Sequence, residues 1–141
     1  MSSWSDGSLP LPRVRRLRRI RVLLLSRDRR FLQVAAFLLR RKGLVVETAP
    51  RPERALELVE RHAPDVVVID GNGSLSEVTR SLAGIEALCP SVAVVVVSER
   101  EDDAPALRSF RLLPKWSAAD RLAAEVERAY LRLASEDELV G

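Results

Sequence analysis

Three side chains of different chemistry stand at the carboxyl ends of short apolar runs. Asp70 follows Val66–Ile69, Ser98 follows Ala93–Val97, and Lys115 follows Leu112–Pro114. If those runs are neighbouring strands, a carboxylate, a hydroxyl and an ammonium converge at one edge of a sheet. A carboxylate so placed can accept a phosphoryl group, the hydroxyl can bond to its oxygens, and the lysine can neutralise charge. Ser26, Arg27 and Asp28 close a further run, Val22–Leu25, and belong to the same edge. Gly71 and Gly73 suggest a tight turn beyond Asp70 and lack the lysine pattern of a phosphate-binding loop. No nucleophile–base pair is visible, so an enzyme of another kind has no support.

The elements that must position these groups alternate. Strands are expected at Val22–Leu25, Val45–Thr48, Val66–Ile69 and Ala93–Val97, with a fifth near Leu112–Lys115. Three are almost wholly apolar, as strands covered on both faces must be. Between them lie helical patterns. Arg30–Lys42 places Phe31, Val34, Ala35 and Leu38 on one face, and Gly43 is a natural stop. Pro52–His62 carries Ala55, Leu56 and Val59 and ends at Pro64; Ser76–Leu88 carries Val78, Leu82, Ile85 and Leu88. A last helix is expected from Ser117 to about Ser135, with Leu122, Val126, Ala129, Tyr130 and Leu133 inward. This rhythm means βαβ units, a parallel sheet and helices on both faces. The functional crevice of such a sheet lies beyond the carboxyl ends of its strands.

Composition narrows the class. The chain has 141 residues, 47% hydrophobic and 30% charged, which suits one folded domain; aromatics are only 4%, so the core is aliphatic. The longest apolar run, Val92–Val97, is far short of the roughly 20 residues of a membrane span. No signal peptide is visible. One cysteine (Cys89) and one histidine (His62) exclude an internal disulfide and argue against a Cys/His zinc site. These features favour the cytoplasm. Residues 1–30 hold nine arginines against Asp6 and Asp28, a net +7 within a chain of net +3. The Arg13–Arg21 patch could attract phosphates of nucleic acid or acidic lipid, but it lacks interleaved aromatics, and a solvated tail is expected. The expected organisation is a flexible basic tail over 1–19, a domain over 20–135 and a C-terminal tail over 136–141.

The segments RVLLLSRDRRFLQVAAFLLRRKGL, VETAPRPERALELVERHAPDVVVIDGNG, VAVVVVS and LLPKW carry a resemblance. In this order and spacing, from Ile20 to Ala134, the chain resembles the receiver domain of bacterial response regulators. The resemblance implies an α/β, chemotaxis-type flavodoxin-like fold. That is a doubly wound (βα)5 architecture with a five-stranded parallel sheet of order 2-1-3-4-5. It also implies that Asp70 matches the phosphoryl-accepting aspartate, Ser98 the switch hydroxyl and Lys115 the lysine that attends the acceptor.

The departures from that pattern are specific. The family's acidic pair after the first strand holds Mg²⁺ together with the acceptor; here those positions are Ser26 and Arg27. Asp28 is acidic but lies one residue beyond. Mg²⁺ takes oxygen ligands in octahedral geometry, and a nearby arginine repels it. The switch aromatic is replaced by Leu112, and Trp116 stands where a proline usually follows the lysine. The stretch from Ser98 to Lys115 is short, so a shortened fourth helix is expected near Asp103–Phe110.

The resulting expectation is an atypical receiver, or pseudo-receiver. It would be a stand-alone, non-enzymatic signalling module that acts by protein–protein interaction without Mg²⁺ or another cofactor. Lys115 or Arg27 would balance Asp70, and Arg27 could replace the metal's charge. The partner would be a histidine kinase, another regulator or a second copy, with no membrane insertion and no nucleic acid. Leu112, Trp116 and Tyr130 are candidates for an interaction face beside the fifth strand. Two alternatives stand beside this expectation. One is a conventional single-domain response regulator, phosphorylated on Asp70 by a histidine kinase in a two-component phosphorelay with Mg²⁺. The other is a nucleic-acid-associated adaptor using the arginine-rich N-terminus.

Overall fold

A computed structural model of the protein describes residues 19–71, 75–99, 111–116 and 119–140. The strands are β1 (Arg21–Leu25), β2 (Val45–Ala49), β3 (Val66–Asp70), β4 (Ala93–Ser98) and β5 (Arg111–Pro114). The helices are α1 (Arg29–Arg41), α2 (Ala55–His62), α3 (Leu75–Leu88) and α4 (Ala119–Val140), with a single 3₁₀ turn at Pro52–Arg54 before α2. All strand pairs are parallel, and the order is β2-β1-β3-β4-β5. This is the expected sheet. The expected fourth helix near Asp103–Phe110, the basic tail and Gly73 lie outside the described residues. The last helix continues to Val140, past the expected end near Ser135.

Why the central strands must be apolar throughout is visible in the packing. Val22, Leu24, Val66, Val68, Val95 and Val97 point to one side of the sheet, against α1 and α4. Their neighbours Leu23, Leu25, Val67, Ile69 and Val96 point to the other side, against α2 and α3. Period-two alternation therefore serves two cores at once, and neither face of β1 or β3 is left to solvent. The outer strand β2 is different. Only Val46 is buried, and the carbonyl of Val46 accepts a 2.8 Å hydrogen bond from Arg40 Nη2.

Helix α1 departs from the expected face. The inward residues are Phe31, Leu32, Ala35, Ala36 and Leu39, whereas Val34 is 40% exposed and Leu38 only half-buried. Residues 31–39 are apolar at every position except Gln33. A 3.6-residue period can be drawn through two stripes of such a segment, and only packing against the sheet selects one. The second stripe, with Phe37 at 59% exposure, is left outside. The stop at Gly43 is as expected. Gly43 adopts φ +91°, its N–H bonds to the Arg40 carbonyl, and the Leu44 N–H bonds back to Leu39. Helix α2 ends instead on Ala63 at φ +47°, immediately before Pro64.

The two phenylalanines of α1 test this phase. Phe31→Ala is expected to cost about 3 kcal/mol or more, and Phe37→Ala within about 0.5 kcal/mol, by urea denaturation. Equal losses would mean the helix is rotated.

Candidate functional site

The carboxyl ends of β1, β3, β4 and β5 bring four polar side chains into one buried crevice. Asp70 is the last residue of β3, and Ser98 the last of β4, opposite Pro114 in register. The Lys115 N–H bonds to the Ser98 carbonyl at 3.0 Å, which carries the β4–β5 ladder one step beyond the strand. Ser26, Asp70, Ser98 and Lys115 are all buried.

Lys115 is the centre of the arrangement. Its ammonium lies 3.0 Å from Asp70 Oδ2 and 2.8 Å from Asp28 Oδ2. The Lys115 and Asp70 side chains are each only 4% exposed, so their charges must balance locally. Burial alone pulls the lysine toward its neutral form. The hydrogen bonds to Asp28 and Asp70 more than offset that and hold its pKa above the ordinary lysine value. The hydrogen bond from Lys115 holds the Asp28 carboxyl below its ordinary value, aided by the Phe31 N–H.

Ser26 completes the polar set. Its Oγ is 2.6 Å from Asp70 Oδ2 and 3.0 Å from the Asp28 backbone nitrogen. The amide can only donate, so the hydroxyl accepts there and donates its own proton to Asp70. Asp28 in turn caps α1, its Oδ1 accepting from the Phe31 N–H at 3.2 Å. Its two carboxylate oxygens thus hold a helix and a lysine. Above them sit two rings. The Phe31 and Trp116 centroids lie 5.3 and 5.6 Å from the Lys115 ammonium and meet edge to face at 5.5 Å.

The structure sorts the residues singled out in the sequence. Asp70 and Lys115 come together, and Ser98 stands beside them in the sheet. Arg27 is 61% exposed and reaches Glu53 at 3.1 Å; the cation 3.0 Å from Asp70 is Lys115. Trp116 is 51% exposed, and its indole N–H donates to Glu99 at 3.0 Å. Its ring contact is with α1, so the exposed surface around it is shared with that helix. Tyr130 is half-buried against the α1/α4 core, and Leu112 pairs in backbone register with Val96. In the sequence Asp28 reads only as an acid one residue beyond the family's pair, not as a helix cap and lysine partner. It sits directly before an apolar helix, with the Phe31 amide three residues on, and that is the capping signal that marks it.

The architecture has known counterparts among solved structures. It is similar to a CheY-like receiver domain from Methanospirillum hungatei JF-1 (TM-score 0.74, 17% identity, covering 84% of this chain and 99% of that one). It is also similar to the signal receiver domain of a Luxo repressor protein from Vibrio parahaemolyticus (TM-score 0.74, 21% identity, 88% and 99%). A Francisella response regulator receiver domain aligns with a TM-score of 0.69 at 22% identity, covering 80% and 98%. The fold is that of a response-regulator receiver domain. No family model and no curated protein matches the sequence.

A receiver fold implies Mg²⁺ beside the acceptor, and the donor set here does not fit it. Mg²⁺ requires six oxygens in near-ideal octahedral array. Asp70 Oδ2 already accepts from the Ser26 hydroxyl and the Lys115 ammonium, and Asp28 Oδ2 is taken by the same ammonium. Among the described residues, no group of three or more His, Cys, Asp or Glu side chains could hold a metal ion.

The charge pattern fixes a pH window. Asp28, with its pKa lowered, contributes stability above the ordinary value of 3.8 and loses it as pH falls through its folded pKa. Lys115, with its pKa raised, contributes fully below the ordinary 10.5 and loses it as pH rises through its folded pKa. Lys115→Met is therefore expected to cost about 3 kcal/mol at neutral pH, because it strands Asp70 in the interior. Adding Asp70→Asn should recover most of that loss in thermal melts. Asp28→Ala should cost about 1 kcal/mol through the lost cap. A Lys115→Met protein as stable as the parent would show that the pair is not sustained in solution.

Proposed function

We propose that the protein is a receiver-like signalling module that works by binding other proteins, without Mg²⁺-dependent phosphorylation of Asp70. The supporting observation is the state of Asp70 Oδ2. It is held by the Ser26 hydroxyl at 2.6 Å and by the Lys115 ammonium at 3.0 Å. The two positions that would supply metal-binding carboxylates are the hydroxyl of Ser26 and the cation of Arg27. In this reading the module has no catalytic residue, and Lys115 supplies the positive charge the site requires. Its protein partner is a histidine kinase, another regulator or a second copy. The module acts in the cytoplasm; no described helix is long and apolar enough to cross a membrane.

A second reading has one observation in its favour. Asp70 is retained at the end of β3 with Lys115 beside it, the pair a conventional phosphorylated receiver also needs. One experiment separates the two. The protein is incubated with acetyl phosphate and Mg²⁺, and its intact mass is followed. No phosphoryl adduct is expected, and Mg²⁺ at millimolar concentration should leave the amide resonances around Asp70 unmoved. Ser26→Asp combined with Arg27→Asp should create saturable Mg²⁺ binding. An adduct on the unmodified protein that is lost with Asp70→Asn would establish the conventional reading instead.

A further inference from the structure

We infer that the outer face of α1 is a docking surface for anionic lipid, used peripherally and without insertion of a helix. The inference does not depend on the signalling role of Asp70. It starts from the stripe of α1 that the sheet leaves outside.

Arg30, Val34, Phe37 and Arg41 follow one another at helical spacing on that stripe and are all exposed. Phe37 is 59% exposed, and the Arg41 guanidinium lies 5.8 Å from its ring centroid. Val34, Leu38 and Trp116 line one shallow hollow, so the stripe is continuous with the exposed indole. On the neighbouring α4, Leu131 is exposed too, but Arg128 is paired with Glu125 and Glu127 is exposed beside it, so the basic surface is that of α1. Large apolar groups and arginines are thus interleaved on the outer face of α1.

The charge of that face has a single dominant sign. Helix α1 contains four arginines and no acidic residue. Residues 1–42 together hold twelve basic side chains against Asp6 and Asp28.

This combination selects the occupant. A second copy would bring α1 arginines against α1 arginines. A nucleic-acid backbone would satisfy the guanidiniums but leave Val34 and Phe37 against phosphates. An anionic bilayer surface satisfies both, with phosphate at the arginines and the headgroup–acyl boundary at the apolar groups.

The test uses the full chain and vesicles of phosphatidylcholine, alone or mixed in equal parts with phosphatidylglycerol. Co-sedimentation is expected only with the phosphatidylglycerol vesicles, with release at about 1 M salt, where the Debye length is about 3 Å. Val34→Glu with Phe37→Glu is expected to reduce partitioning by about tenfold or more. Both positions are exposed, so the melting temperature should hold; Arg30→Gln with Arg41→Gln should give a similar loss and supplies the check if it does not. Several outcomes would overturn the proposal. These are no partitioning, equal binding to both vesicles, unchanged binding by both variants, or binding to duplex or single-stranded DNA with none to vesicles.

Discussion

A single ammonium shared by two carboxylates is the constraint around which the upper edge of this protein is built. Lys115 cannot remain charged in a crevice that excludes it from water unless Asp28 and Asp70 both face it. Asp70 cannot remain buried unless Lys115 and Ser26 answer it. Those demands fix the ends of β1, β3 and β5 relative to one another. They also tie α1 to the sheet through a residue that is both helix cap and lysine partner. Asp70 Oδ2 accepts from the Ser26 hydroxyl and the Lys115 ammonium, and Asp28 Oδ2 from the same ammonium, so one oxygen of each carboxylate is committed within the protein.

The fold was legible in the sequence because its physical causes are local. Strands covered on both faces must be continuously apolar, and Val66–Ile69 and Ala93–Val97 carry that signature openly. Gly43 and Pro64 mark helix ends by backbone geometry alone. The phase of α1 was not legible. Leu32, Ala36 and Leu39 are no more apolar than Val34, Phe37 and Leu38, and the choice between them is made by contacts from distant strands.

The site was legible in part. Asp70, Ser98 and Lys115 follow apolar runs, so topology alone brings them to one edge. What the sequence could not convey is the orientation of the segment between β1 and α1. Three consecutive residues there take three different directions. Ser26 turns inward to Asp70, Arg27 outward to Glu53, and Asp28 across to Lys115. Residue order leaves Lys115 and Arg27 both as candidates to balance Asp70, and the ammonium 3.0 Å away is that of Lys115. The N-terminus of α1 places Asp28 where it can cap the helix, with Arg27 turned toward Glu53.

The Arg40–Val46 hydrogen bond has a consequence for the protein in crowded solution. Strand β2 is the outer strand on its side of the sheet, and an uncovered outer strand is a template for pairing with any extended chain. Arg40 spans from α1 and occupies the Val46 carbonyl that such a chain would need. A would-be tenth or hundredth copy must displace a charged, hydrogen-bonded side chain before it can add to the sheet. The helix that contributes to the core thus also guards the sheet's open border against edge-to-edge growth.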